Sequence, residues 1–208
     1  MSLSRVTIQK ERLLLVEGKD DRKFLTRIAR LTNPPDSIQI IEIQGTLTHP
    51  KLNAVIFLPD FNSKVKALGI VRDADTNFSS AFQSVTNFLT RLNLPSPGAG
   101  QLFASNQNIK VGVFIFPNNA QPGALENLIL GALNTQYPNQ MQCVASYLQC
   151  LTNHGHIVQK QNKANVHSFL ATYKEPGISL GDAALENYWS STDSAFTEIK
   201  SFLQQLIT

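Results

Sequence analysis

The sequence predicts an α/β protein: a mostly parallel, four-stranded sheet flanked by helices, followed by a helical extension. Three observations carry this. Apolar runs without polar alternation recur at residues 13–16 (LLLV), 65–71 (VKALGIV) and 111–116 (VGVFIF). Such runs suit strands covered on both faces, as in a parallel sheet. Segments of helical periodicity lie between them, which is the pattern of βαβ units. Beyond Gln136 the pattern is helical throughout. The expected division is therefore an α/β segment at 1–135 and a helical extension at 136–208 packed on it.

The first apolar run stops abruptly at Glu17-Gly18. Residues 19–31 then read as a helix with Phe24, Leu25, Ile28 and Leu31 on one face and most of its basic residues off it. Asn33-Pro34-Pro35-Asp36 ends it. Residues 38–44 (IQIIEIQ) read as a second strand closed by Gly45, and residues 49–57 as a helix halted before Pro59. The third strand runs into Arg72-Asp73-Ala74-Asp75. An amphipathic helix at 77–92 follows, then a Pro- and Gly-rich loop at 94–100. The fourth strand stops at Pro117, and Pro122-Gly123 opens a helix at 124–133. Further helices are expected near 139–152, 162–173, 180–188 and 194–207, with Ser179 and Asp182 spaced to cap the third of these.

Composition narrows the class. A chain of 208 residues with 42% hydrophobic and 16% charged residues can bury a core and is no disordered tail. Its net charge of +3 is a weak pointer to an anionic partner, without the dense basic stripe of a dedicated nucleic-acid module. Cys143 and Cys150 lie seven apart in a helical stretch. That spacing puts them roughly 10 Å apart along the axis, beyond the ~7 Å Cα reach of a disulfide. Both are expected to be reduced, partly buried thiols. The N-terminal segment has no signal-peptide pattern, and no apolar run approaches the length of a membrane span. A soluble, cytoplasmic protein with no membrane contact is the expectation.

Acidic residues stand where chemistry is expected. Glu17 follows the first strand directly, and Asp73 and Asp75 follow the third. Open α/β sheets place their sites at the carboxyl ends of the strands. Residues that far apart in sequence meet in one crevice if the two strands are neighbours. Two residues apart in an extended segment, Asp73 and Asp75 are expected to point the same way. Converging carboxylates repel unless a hard divalent cation lies between them. Asp21, four residues after Glu17, and Glu126, just after Pro122-Gly123, sit in first helical turns and are candidate supporting carboxylates. An acid there also serves as a partner of the helix dipole, and both readings stand. Asp73 and Asp75 could equally be turn-forming loop acids.

LLLVEGKDD followed by ALGIVRDAD resembles a Toprim domain, the catalytic core shared by topoisomerases, primases and the nucleases of the OLD and recombination-repair groups. The resemblance covers about residues 10 to 133. It implies a general acid/base or metal-positioning role for Glu17, beside Gly18, and Mg²⁺ binding by Asp73 and Asp75. A stricter form of the family carries a third acid where this chain has Asn77. The chain looks closer still to the OLD-like Toprims, which add an acid after the first glutamate, an acid in a late helix and a downstream lysine. Asp21, Glu126 within PGALENLIL, and Lys163 in QNKANVHSFLA match these positions, although Lys163 reads equally as a solvated helix lysine. The chain is also similar to a group of small stand-alone Toprim proteins of uncharacterised function, through the KxxVHxxLA helix and SLGDAALENYW.

The resemblance implies Mg²⁺-dependent (or Mn²⁺-dependent) phosphoryl transfer on DNA or RNA, most simply by a nuclease. The acid count suits two ions, with Glu17 and Asp21 on one side and Asp73, Asp75 and Glu126 on the other. Lys163 would steady charge on the phosphate. Asn118, after the fourth strand, is a candidate lining residue. No GxxxxGK[ST] loop is present, so ATP chemistry would need a partner ATPase; a homodimer is a further expectation. The competing reading is a non-catalytic, metal-stabilised nucleic-acid or protein-binding Toprim module in a repair or defence complex. His154 and His156 read as a helix-ending loop around Gly155, against a transition-metal pair.

Overall fold

The first apolar run forms β1 (Arg12–Val16), and every residue of it but Arg12 is buried. A computed structural model describes residues 6–208; residues 1–5, the head of the segment read as signal-free and assigned to the α/β part, lie outside the described residues. After β1 come α1 (Lys19–Thr32), β2 (Gln39–Glu42), α2 (His49–Ile56), α3 (Phe61–Lys64), β3 (Ala67–Asp73) and α4 (Phe78–Arg91). Then follow β4 (Phe103–Ser105), β5 (Lys110–Phe116), α5 (Leu125–Gln136), α6 (Pro138–Asn153), α7 (Gln161–Leu170), α8 (Leu180–Leu185) and α9 (Thr197–Ile207).

The sheet has five strands in the order β2-β1-β3-β5-β4. All pairings are parallel except β4 with β5. The expected count of four is corrected by β4, a three-residue antiparallel edge strand. It is too short for a period-2 signal and pairs through Phe103 opposite Gly112.

Alternation along the strands divides the core into two layers. Leu14, Val16, Ala67, Val71, Phe114 and Phe116 face one side and pack with α1 and the helices from α5 onward. Leu13, Leu15, Leu68, Ile70, Val111, Val113 and Ile115 face the other and pack with α2, α3 and α4. Continuous apolar runs result because both faces are covered. The late helices thus share a core with the sheet. α9 lies directly on it because a Cβ at Gly69 would stand 2.9 Å from Leu206, and one at Gly112 2.9 Å from Phe202.

Several local expectations shift. α7 ends at Leu170 and α8 at Leu185, and the last helix begins as a 3-10 turn, Ser194–Phe196. Ser179 does cap α8, accepting from the Asp182 N–H. Leu31, expected on the inner face of α1, is 45% exposed. Cys143 and Cys150 are free and exposed, not partly buried, because both lie off the Met141/Val144/Leu148 face of α6. Among the described residues no helix is long and apolar enough to cross a membrane.

Candidate functional site

The chain leaves β1 through α1 on one face of the sheet, and leaves β2 through α2 on the other. That reversal puts a crevice at the carboxyl ends of the adjacent strands β1 and β3, the switch point where open sheets bind ligands. Leu15 pairs with Ile70, so the same register sets Glu17 beside Arg72. Glu17 continues the parity of Leu13 and Leu15 toward α4, whereas Asp73 continues that of Ala67 and Val71 toward α1 and α5.

Glu17 is held by two partners. Its Oε1 accepts a 2.7 Å hydrogen bond from the Leu47 N–H, in the loop after β2. Arg72 Nε stands 3.5 Å from the same oxygen, and each side chain is only 13% exposed. Arg72 Nη1 donates to Ser84 Oγ on α4 at 3.2 Å, but Nε is buried without a hydrogen-bond acceptor. The Arg72–Glu17 contact is therefore a close ion pair and not a hydrogen bond. Burial pushes the Glu17 carboxyl above its usual range; the Leu47 N–H and Arg72 oppose this, and Asp75 adds to it.

On the other side of the crevice, Gly18 is the N-cap of α1 and donates its N–H to Asp21 Oδ2 at 2.8 Å. Asp21 thus caps the helix, and it lies near enough to the other acids to feel their charge. Burial raises its carboxyl to about 7, against the Gly18 hydrogen bond, with Glu17, Glu126 and Asp20 adding repulsion. Asp73 Oδ1 accepts from the Leu125 N–H, the first residue of α5, at 3.2 Å. Burial, then the charges of Asp21, Glu17 and Glu126, raise Asp73 to about 8. Glu17 and Glu126 thus act on both Asp21 and Asp73 through their charge.

Asp75 departs from expectation. Its φ is +51°, so the chain turns there instead of running on extended, and Asp75 does not share Asp73's direction. Asp75 is exposed, and its backbone pairs with Gly123 in an isolated bridge. Asn77 spends its acceptor as the N-cap of α4, taking the Ser80 N–H at 2.8 Å. Asn118 Oδ1 takes the Gln121 N–H at 3.0 Å within the turn after β5. Lys163 is exposed on α7, and among the described residues no hydrogen bond or ion pair joins it to the acids. His154 and His156 are exposed at the end of α6 around Gly155, whose φ is +85°, as a helix-ending loop requires.

Sequence reasoning missed two groups here. Arg72 could have been found by carrying the parity of β3 one step past Val71, which points it toward Glu17. The Leu47 N–H had no signal, since it arrives from a loop. The donor set is all hard carboxylate oxygen, half-buried and mutually repelling, which is the chemistry a Mg²⁺-class cation relieves. Among the described residues no group of three or more His, Cys, Asp or Glu side chains is close enough to cage an ion.

Residues 11–208 match the model of the family described as "Protein of unknown function (DUF3226)". The chain belongs to that family. No curated protein matches this DUF3226 member. Among solved structures it is similar to the C-terminal region of the Burkholderia pseudomallei OLD protein, with a TM-score of 0.52 and 11% sequence identity. The match covers 97% of this chain and 100% of that one. At this identity the likeness of the DUF3226 chain is one of fold.

Proposed function

We propose that this protein carries out Mg²⁺-dependent phosphodiester chemistry on DNA or RNA, as a nuclease of Toprim type. One observation carries the reading: Glu17, Asp21, Asp73 and Glu126 act on one another in a single crevice at the β1/β3 switch point. Half-buried carboxylates repelling one another are unfavourable, and functional sites are where such clusters are kept. The resemblance of LLLVEGKDD and ALGIVRDAD to Toprim domains and the OLD-like fold support the assignment.

Asp73, Asp21 and Glu126 would hold the cation, with Glu17 joining them, and Mn²⁺ would substitute for Mg²⁺. The bound cation would supply charge neutralisation for the phosphate and an activated water. Asp73 is oriented for this by the Leu125 N–H, and Asp21 by the Gly18 N–H. A carboxyl raised to about 8 must release its proton for a cation to bind, so cation binding would strengthen as pH rises. Glu17, beside Arg72 and above its ordinary range, would take a proton from the attacking water. Lys163 would act only if substrate binding brings α7 to the phosphate.

The decisive experiment incubates the protein with plasmid, single-stranded DNA and RNA in Mg²⁺ and in Mn²⁺. Cleavage that disappears in Asp73→Asn and in Glu17→Gln supports the reading. No cleavage of any substrate, or full cleavage by both variants, overturns it.

A second reading has its own support. No three acids converge among the described residues, and Asn77 is committed to capping α4. Both suit a non-catalytic, metal-stabilised nucleic-acid or protein-binding module working beside a partner ATPase. That reading expects nucleic-acid binding without turnover, with affinity falling steeply as salt rises.

A further inference from the structure

The crevice contains one feature that its acids do not account for, the Arg72 guanidinium beside Glu17 with its Nε buried. Arg72 follows strand parity to the α4 side of β3, where Ser84 Oγ anchors Nη1 at 3.2 Å. Its Nε lies 3.5 Å from Glu17 Oε1 yet has no hydrogen-bond acceptor. A buried guanidinium N–H without an acceptor is costly, and native sites that keep one usually use it. Glu17 in turn lies on the α4 side of the sheet by strand parity and is held by Arg72 and the Leu47 N–H. Asp21, Asp73 and Glu126 belong to the opposite face and have no basic partner among the described ion pairs.

We propose that Arg72 is a positioning residue that holds Glu17 out of the cation site, so that a divalent cation must compete with the guanidinium for this carboxylate. The proposal rests on the metal-site reading given above. It gives the Arg72–Glu17 pair a part in the site: the carboxylate that a cation would recruit is already paired to a fixed positive charge. Once a cation draws Glu17 across, the guanidinium loses its counter-charge, and its Nε–H, which has no acceptor, is free to take one. An anionic phosphate oxygen is the natural replacement partner, because a guanidinium binds carboxylate and phosphate through the same planar fork. Arg72 would thereby couple the entry of cation and phosphate, each making room for the other.

The test is a double-mutant cycle on Mn²⁺ affinity, measured by isothermal titration calorimetry and by the electron paramagnetic resonance signal of free Mn²⁺. Arg72→Met removes the charge and keeps the apolar stem, and is expected to bind Mn²⁺ on the order of tenfold more tightly than wild type. Glu17→Gln is expected to weaken binding little in the wild-type background and on the order of tenfold in the Arg72→Met background. Arg72→Lys, which restores the charge, should return the affinity toward the wild-type value. Ser84→Ala, which only loosens the guanidinium, should move the affinity a few-fold in the direction of Arg72→Met and covers the case in which Arg72→Met fails to fold. Equal effects of Glu17→Gln in both backgrounds, or an Arg72→Met affinity no tighter than wild type, would overturn the positioning role while leaving the metal site intact. Absence of Mn²⁺ binding by wild type, unchanged in Asp73→Asn, would remove the metal site and this role with it.

Discussion

Asp75 and Gly123 exchange both backbone hydrogen bonds, Asp75 N–H to Gly123 O at 2.9 Å and Gly123 N–H to Asp75 O at 2.8 Å. This two-residue bridge ties the loop leaving β3 to the loop entering α5. It fixes where Asp73 stands relative to Leu125, whose N–H the Asp73 carboxylate accepts, and relative to Glu126 beside it. The site's geometry thus depends on a contact between backbones as well as on side chains.

Gly123→Ala should disturb that bridge. Gly123 has a φ of +137°, and an added Cβ would meet Asn127 Cγ at 2.6 Å. Asn127 Oδ1 also accepts the Ala124 N–H at the start of α5, so it has little freedom to move. A loss of about 1–3 kcal/mol is expected from backbone strain at such a position. Urea unfolding measures it, and a midpoint unchanged from wild type would contradict the assignment of strain.

Stability without divalent cations should fall as pH rises toward 8. Asp73 is raised from 3.8 to about 8 and Asp21 from 3.8 to about 7. Between these values the folded protein holds protons that the unfolded chain has released, so stability declines with rising pH. The contribution is full below about pH 3.8 and lost as pH passes the folded values. Millimolar Mg²⁺ should flatten the decline, because a bound cation favours the ionised form. Thermal midpoints from pH 5 to 9, with EDTA and with Mg²⁺, provide the check.

Asp73→Asn should separate stability from function. The amide keeps an acceptor for the Leu125 N–H and removes a charge that burial and three neighbouring acids oppose. At pH 8 without cations the variant should melt higher than wild type by roughly 1 kcal/mol, or about 2–4 °C for a chain of this size. Addition of Mg²⁺ should then stabilise it less than wild type. A variant that melts lower than wild type in EDTA at pH 8 would show that the carboxylate is not under the strain described.

Gly181→Ala should loosen α8 from α1. A Cβ at Gly181 would stand 2.8 Å from Asp20 Cα, which is backbone and cannot yield easily. The Gly181 N–H also donates to Asp20 Oδ1 at 2.9 Å, and Lys23 pairs with Asp182 at 2.6 Å across the same junction. Overpacking here is expected to cost about 1–3 kcal/mol in denaturant unfolding. Asp21 is next to Asp20, so divalent-cation binding should weaken as well, read by the thermal shift that Mg²⁺ produces.

The sequence by itself determined that β1, β3 and β5 are covered on both faces, because unalternating apolar runs have no other stable setting in a parallel sheet. It also determined that Glu17 and Asp73 stand at strand ends, since both follow directly on such runs. The tertiary structure alone decided what those acids meet. Edge strand β4 was invisible because three residues carry no period. The direction of Asp75 was decided by its turn to a positive φ and its bridge to Gly123, a partner 48 residues away. Glu17's partners came from a loop after β2 and from Arg72, whose role follows from the pairing of β1 with β3. Periodicity records which face of an element is buried. Which charges then lie within a few ångströms of one another depends on strand order and loop closure, and these are set by contacts between segments distant in the chain.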